Sequence, residues 1–312
     1  MAYSLPGQDK LAGSDLALFA KIVTGQILTG FQTKRKFTDL VTTKTIPHGV
    51  GAKIKVVGDS DDGTLHSKGS SITGDSLYRS EKLINLTDTI QKTFHLAEED
   101  ISFSDVNEQM LHSQKISETL ANRYDADIAR AIIAAARDAV EVIPGMGAGT
   151  RMLSVASTAD GIYQAIVAAS VQMEEKGVTS PLYCFLAPAE FSLLRNDNRV
   201  ISVDNGGAST GGISGNVMAL DINGVTVMSY NKVFKKDEST NANLDAHLKF
   251  NNTTILGVAF SAEAVGVVNL ESVKTRVDWL ADKASWQLRG SYLNGVDVLN
   301  PACAIAFDSA SV

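Results

Sequence analysis

The sequence predicts an α+β fold in which a sheet and one very long helix are interrupted by a smaller module of alternating helices and strands. Three observations support this prediction. A helical pattern runs from Asp105 to about Val140, and it follows strand-like segments at 37–57 and 82–97. Residues 151–262 alternate between helical and strand patterns, and strand-like sequence then resumes up to the end of the chain.

Composition excludes several classes of protein. The 312 residues are 44% hydrophobic and 20% charged, which is ordinary for a globular protein. The formal net charge of −7 argues against binding nucleic acid through its phosphates. No stretch approaches the length of about 18 apolar residues that a membrane span needs, and the first residues lack the pattern of a secretory signal. Cys184 and Cys303 lie in apolar runs, which predicts buried, reduced thiols.

The first predicted helix runs from Asp15 to Phe31, with Ser14 or Asp15 as its N-cap. Gly25 and Gly30 lower its intrinsic stability, so we expect it to dock on the rest of the protein. Its apolar residues recur near a period of 3.6: Leu16, Phe19, Ile22, Val23, Ile27 and Phe31.

A long polar arm interrupts the first strands. Residues 58–82, "GDSDDGTLHSKGSSITGDSLYRSEK", are nearly all polar, charged or glycine. Structureless loops beyond about 12–15 residues are uncommon in compact domains and are usually functional or disordered. Since strand-like sequence brackets the arm on both sides, the pattern predicts a greatly enlarged hairpin.

The long helix has a clear start and end. Asp105 and Glu108 form the pattern of a capping box, and Pro144 follows the helix in the glycine-rich stretch "PGMGAG". A helix of about 35 residues would be about 50 Å long, which is long enough to form a spine through the molecule. It lacks a sustained heptad pattern. Its apolar positions advance mostly in steps of four: Val106, Met110, Leu120, Tyr124, Ile128 and Ile132.

The alternating module contains recognisable boundaries. One helix is capped near Ser157 or Thr158 and closed by Gly177, and a short helix begins at Pro188 after the buried strand "PLYCFLA". The Asn223-Gly224 pair predicts a two-residue hairpin turn.

No catalytic or nucleotide-binding template fits well. "GASTG" matches the G-x-S-x-G pattern around Ser209, but it lies in a glycine-rich loop rather than between a strand and a helix. Asp59–Thr64 resembles a calcium loop, but its glycine is fifth instead of sixth and Ser70 replaces the twelfth-position Glu, so we interpret it as a solvated acidic turn. We expect neither an enzyme nor a bound cofactor.

Two other polar groups have structural interpretations. His95 lies near Glu98 and Glu99, but the histidines are scattered and no metal-ligand spacing recurs, so a surface corner explains this group and we expect no metal site. The cluster Lys34-Arg35-Lys36 has the composition to contact DNA or an acidic neighbour, although we favour a solvated turn.

Several motifs, in this order, resemble those of the major capsid proteins of short-tailed (podovirus-type) tailed bacteriophages. "DLALFAKIVTGQILTGF" resembles their N-terminal "LALF" helix followed by G-x-x-L-T-x-F. "ETLANRYDADIARAIIAAA" resembles their long helix, with Glu118-Thr119 replacing a glycine, and "NVMALDINGVTVMSYN" resembles a hairpin with Ala219 at a glycine position. The C-terminal segment has their strand–Gly–strand end.

The resemblance implies the tailed-phage major capsid fold. Residues 1–36 would form the N-arm and 57–83 the extended loop that lies over the next subunit. The peripheral domain would hold the spine helix and comprise 37–56, 84–150 and 263–312, with an axial domain at 151–262. The mixed charges of the extended loop favour electrostatic over apolar contact between copies.

The resemblance also implies contact residues between copies. In the extended loop these are Asp59, Asp61, Asp62, Lys68, Arg79, Glu81 and Lys82. In the N-arm they are Leu16, Phe19, Ile22 and Phe31. In the peripheral domain they are Arg276, Asp278 and Arg289.

The partners follow from the same resemblance. Many copies would form pentamers and hexamers of an icosahedral head shell around double-stranded DNA, with a portal protein at one vertex and no sequence-specific DNA contact or membrane. T=7 is the expected lattice type, although the sequence does not fix a triangulation number. Because the first helix begins near Met1, we expect a separate scaffolding protein and no proteolytic trimming during assembly in the host cytoplasm.

Two features leave alternatives open. Lys68 and Lys82 are available for isopeptide cross-links of the kind known in this fold, but no motif selects a partner asparagine, so we expect non-covalent stability. An encapsulin-like compartment, which predicts an internal pocket for a cargo peptide, is the main alternative function. A serine hydrolase using Ser209 is a more distant one.

Overall fold

The computed structural model describes residues 15–58, 65–71, 74, 77–97, 108–178, 181–196 and 219–310. The helices in these ranges are α1 (Asp15–Lys34), α2 (Glu108–Arg137), α3 (Ala159–Glu175) and α4 (Pro188–Arg195). The strands are β1 (Thr42–Thr45), β2 (Gly51–Val57), β3 (Arg79–Asn85), β4 (Ile90–Ala97), β5 (Thr150–Met152), β6 (Leu182–Leu186), β7 (Ala219–Ile222), β8 (Val225–Ser229), β9 (Ile255–Ser261), β10 (Val265–Leu280), β11 (Ser285–Val298) and β12 (Ala304–Asp308). This mixture confirms the predicted α+β class.

The predicted spine is α2, which spans 30 residues, or about 45 Å. Most side chains from Leu120 to Ala136 are buried, because this half of the helix contacts both of the larger sheets. The helix ends at Arg137, a few residues before the predicted end at Val140. The cause is Asp138, whose carboxylate accepts the Val140 N–H at 3.0 Å and begins a turn. The predicted cap at Asp105 lies outside the described residues.

A four-stranded sheet supports α2, with strand order β1-β10-β11-β4. β10 and β11 form a long antiparallel hairpin, β4 continues the antiparallel pairing, and β1 runs parallel to the first residues of β10. Inward-facing Leu288 and Tyr292 are buried under the helices, and Thr275 bonds to Thr24 of α1 through the hydroxyl groups. The sheet therefore has one face covered by α1 and α2.

As predicted, α1 docks on the body of the protein. Val23 and Ile27 are fully buried, and α1 packs against both α2 and β10. α1 approaches α2 closely at Gly30, where an added Cβ would lie 2.4 Å from Oγ of Ser117. Gly30 thus lowers the helix propensity of α1 but permits the close contact that fixes it.

A six-stranded sheet forms the second layer, with strand order β5-β12-β9-β6-β8-β7. The predicted turn between β7 and β8 is confirmed, since Asn223 and Gly224 have φ values of 50° and 77°. Thr158 caps α3 and Pro188 begins α4, as the sequence predicted. β12 pairs with β9 and β5, so the chain returns to this sheet after β11.

β2 and β3 form a separate two-stranded antiparallel sheet, which confirms the enlarged hairpin. Both cysteines are buried and free, as predicted. No helix in the described residues combines the length and apolar character required to cross a lipid bilayer.

Candidate functional site

The β2–β3 hairpin has one face packed on the body and one face open to solvent. Its ladder ends at Val57 and Arg79, and the N–H of Gly58 continues it by donating to the Tyr78 carbonyl at 2.9 Å. The end of the hairpin stem from which residues 59–77 continue is therefore fixed by backbone hydrogen bonds. The packed face shares a small apolar core with the body: Ala52, Ile54, Val56, Ile84, Ile143, Val268 and Leu299.

The charges on the hairpin are paired within the chain. The carboxylate of Glu81 lies 3.5 Å from Nζ of Lys53 and 3.5 Å from Nζ of Lys55. The hydrogen bond from Lys53 and the charges of both lysines hold the pKa of Glu81 below its usual value. Lys82 lies 3.6 Å from the carboxylate of Asp297 on β11. Two predicted inter-subunit residues, Glu81 and Lys82, thus have partners in their own chain.

The open face of the hairpin also carries apolar side chains. Val57 is 54% exposed and Leu83 is 49% exposed, and Leu77 and Tyr78 are exposed where the ladder ends. The mixed charges of the extended loop predicted mainly electrostatic contact here. The apolar component depends on the strand register, which places Val57 and Leu83 on the open face.

The other predicted residues of the extended loop are only partly described. Lys68 and Arg79 are exposed and lie on the surface of the hairpin region. Asp59, Asp61 and Asp62 lie outside the described residues, as do the other residues of the acidic turn Asp59–Thr64.

The predicted N-arm residues differ in accessibility. Ile22 is 47% exposed and is available to a neighbour. Phe31 is buried, with its ring centroid 6.1 Å from that of Tyr124 and 5.5 Å from that of Tyr292, so it belongs to the chain's own core. Leu16 and Phe19 lie in α1, but their side chains are outside the described part of the structure.

Arg35 of the basic cluster packs against α1 and α2, which corrects the prediction of a solvated turn for this residue, whereas Lys34 and Lys36 are exposed as that prediction expects. The guanidinium of Arg35 lies 4.6 Å from the ring centroid of Phe31 and 5.3 Å from that of Tyr124. Lys34 lies 3.9 Å from the carboxylate of Glu118. Aromatic faces on α1 and α2 attract the guanidinium, so Arg35 fixes the end of α1.

Asp125 fixes the chain directly after this cluster. Its carboxylate accepts the backbone N–H groups of Lys36 at 3.1 Å and Phe37 at 3.4 Å. The ring of Phe37 stacks 4.2 Å from that of Phe185 in β6. Burial raises the pKa of Asp125 to about 6, although the two N–H donors favour the ionised form. The elbow between α1 and the sheets is therefore held by a buried, titratable group.

The outer face of the four-stranded sheet brings together two residues of the predicted peripheral contact. Arg276 on β10 lies directly opposite Arg289 on β11, and Asp278 lies opposite Gln287. The side chains of Arg276 and Asp278 alternate with those that face the helices, so they point to the uncovered face. Like charges directly opposite each other destabilise an antiparallel pair.

The sequence of residues 55–308 matches the family model of the Gp10A-like major capsid proteins. The chain belongs to this family. Among solved structures it is similar to the capsid protein of the cyanophage P-SCSP1u, with 26% identity, 89% of each chain covered and a TM-score of 0.73. It also resembles that of the mature capsid of bacteriophage PhiM1, with 14% identity, 88% of this chain and 86% of the other covered, and a TM-score of 0.67. No protein with a curated description matches the sequence.

These findings confirm the predicted fold and function of this major capsid protein. The capsid of Ralstonia phage GP4 is also similar, with 10% identity, 90% of this chain and 91% of the other covered, and a TM-score of 0.62. The chain has the tailed-phage capsid fold and is a structural protein of the phage head shell, in which many copies assemble. The encapsulin-like alternative is not favoured, because both the family and the neighbour with 26% identity are capsid proteins of phages.

The spine helix of the major capsid protein also carries a buried ion network that the sequence did not predict. Arg130 donates to both carboxylate oxygens of Glu238, at 2.8 and 2.6 Å, and to Asp127 at 2.8 Å. Asp127 also accepts from Arg123 at 2.8 Å. The spacing of Arg123, Asp127 and Arg130 on one helix face was a local signal. Glu238 had none, because it lies 108 residues away in an irregular segment.

The enzyme and metal candidates gain no structural support. Ser209 lies outside the described residues, as do Glu98 and Glu99, and His95 is an exposed residue of β4. Where the structure describes the chain, no three His, Cys, Asp or Glu side chains converge as they would around a metal ion.

Proposed function

We propose that this major capsid protein forms pentamers and hexamers of an icosahedral shell around double-stranded DNA, and that the β2–β3 hairpin reaches a neighbouring copy. The observation that carries the proposal is the structure of the hairpin. Its base is tied to the body by an apolar core and by Lys82 with Asp297. On the opposite face of the same stem, apolar Val57 and Leu83 remain exposed, because the body covers only the packed face. A neighbouring subunit would cover them.

The domain division follows the sheets. Residues 1–36 form the N-arm and 57–83 the extended loop, while the four-stranded sheet with α2 is the peripheral domain and 151–262 the axial domain. The pairing of β12 with β9 favours assigning residues 304–308 to the axial domain instead of the peripheral domain.

Contacts between copies would come from three surfaces. The open face of the hairpin supplies Arg79 and the apolar side chains beside it, and α1 supplies Ile22. The outer sheet face supplies Arg276, Asp278 and Arg289. Because Phe31 is in the chain's own core, it contributes by positioning α1 rather than by touching a neighbour.

The protein has a structural role in the capsid shell of the virion and catalyses no reaction. A separate scaffolding protein guides assembly in the host cytoplasm, and a portal protein occupies one vertex. The net charge of −7 supports a shell whose inner surface does not hold packaged DNA by its phosphates.

Electron microscopy and analytical sedimentation test this proposal. The protein is expressed alone and together with the scaffolding protein, and we expect closed shells, or tubes and capsomer rings, in at least one preparation. A monodisperse monomer in both preparations would contradict the proposal. Lattice indexing of closed shells would give the triangulation number.

A further inference from the structure

The pairing of Arg276 with Arg289 is an unfavourable arrangement that the fold retains. Residues directly opposite each other in an antiparallel pair have Cβ atoms about 4.5–5.5 Å apart, so two guanidinium groups share one small area of the sheet. Local rules of sequence and structure are broken mainly at functional sites. This ladder therefore contains a candidate site.

Among the side chains that the structure describes, no carboxylate forms an ion pair with Arg276 or Arg289. Thr93 is the partner of Arg289 on β4, and Gln287 is the neighbouring residue of β11 on the same face. Asp278 shares the face with Arg276. Its carboxylate is nevertheless more than 4.0 Å, the limit for an ion pair, from both guanidinium groups. The β2–β3 ladder, by contrast, places Lys55 directly opposite Glu81.

The surroundings leave the arginine pair accessible. β1 pairs only with the first part of β10, from Gly266 to Asn269, so β10 is the edge of the sheet at Arg276. Arg276 is exposed and Arg289 is half-buried. Arginine presents planar donors that match a carboxylate in a bidentate arrangement, so two arginines side by side fit a segment with two or more carboxylates.

We propose that Arg276 and Arg289 bind the acidic segment Asp59–Asp62 of a second copy. This inference rests on the proposed function, which has the hairpin reach a neighbouring subunit. The segment has three carboxylates in four residues, and it begins directly after the point where Gly58 fixes the hairpin. The acidic run Glu98–Asp100 is a weaker match, because it follows β4 in the same sheet rather than the hairpin.

Charge reversal and charge exchange test the proposal. We expect R276E/R289E to fold with a nearly unchanged melting temperature, since one exposed like-charge pair replaces another, and to form far fewer shells by sedimentation and microscopy. If the loss of one contact weakens association between two copies by 1.4 kcal/mol, the association constant falls about tenfold. Combining it with D59K/D61K/D62K should restore shells, whereas D59K/D61K/D62K alone should lose them. R195Q and R195E, on an exposed arginine of α4, serve as matched controls with normal assembly.

The outcomes separate this inference from the proposed function. Normal shells from R276E/R289E would overturn the inference but would leave the proposed function of the protein standing. Loss of shells without rescue by the exchanged charges would overturn the assigned partner. Normal shells that retain less DNA would show that the arginines bind phosphate, which also overturns it. Failure of the unmodified protein to form shells under any condition would overturn the proposed function itself.

Discussion

The spine helix α2 and the β2–β3 hairpin treat charge in opposite ways. In α2, Arg130 is buried and donates three hydrogen bonds to Asp127 and Glu238. On the hairpin, Glu81 lies between two lysines that are largely exposed to solvent. A buried network requires one arrangement, because an unpaired buried charge is costly, whereas exposed pairs contribute little and can be exchanged. The body is thus built to keep its shape and the hairpin to change partners.

The largest effect should come from the buried network. R130A leaves buried Glu238 without its arginine partner and leaves Asp127 with Arg123 alone, so we expect the free energy of unfolding to fall by about 3–5 kcal/mol. Urea denaturation of the unassembled chain measures this. Replacing Arg130, Asp127 and Glu238 together by apolar residues of similar size should cost much less, and an equal loss in both variants would show that the ion network is not the cause.

The elbow at Asp125 should make stability depend on pH. Its pKa is about 6 in the folded protein against an ordinary value of 3.8, so the folded state binds the proton more tightly. This contribution to stability is full below pH 3.8 and is lost as the pH rises through about 6, at up to about 1.4 kcal/mol per pH unit. D125N should lack it. Unfolding measured across this range tests the difference, and a constant offset between the two proteins would contradict the assignment.

A smaller effect is expected where α1 crosses α2. G30A places a Cβ 2.4 Å from Oγ of Ser117, so crowding should destabilise the protein by about 1–3 kcal/mol, less the gain in helix propensity. Gly25 in the same helix has no atom within 4 Å of an added Cβ, so G25A should stabilise by up to about 1 kcal/mol. Melting temperatures that move the same way for both variants would show that the close crossing does not matter.

The smallest effect is expected on the hairpin. E81Q removes an exposed partner of Lys53 and Lys55, so we expect no measurable change in melting temperature and little dependence on salt. We expect the melting temperature of K53A to be unchanged as well, because Lys53 is also exposed. A clear loss of stability in either variant would mean that the hairpin depends on its charges as the spine does.

Sequence patterns predicted the elements with strong local signals. The Asn223-Gly224 turn and the spine helix were correct because each depends on neighbouring residues alone. The end of α2 was misplaced because a single side chain, Asp138, decides it.

The contact surfaces depended on register, which a single sequence does not define. Arg276 faces Arg289 only because the β10–β11 ladder shifts twice between Asn269 and Lys274. The partnership of Arg130 with Glu238 depends on how an irregular segment folds back onto α2. The candidate residues were therefore partly identified from the sequence, but their pairing was not.

Electron microscopy of a hairpin-shortened variant tests the central claim most directly. Residues 59–77 are replaced by Asn-Gly, which can close the ladder where Gly58 bonds to Tyr78. We predict that this protein melts close to the unmodified protein, since its packed stem is retained, but forms no closed shells under conditions in which the unmodified protein does. Closed shells of normal size from the shortened protein would contradict the role of the hairpin in joining copies.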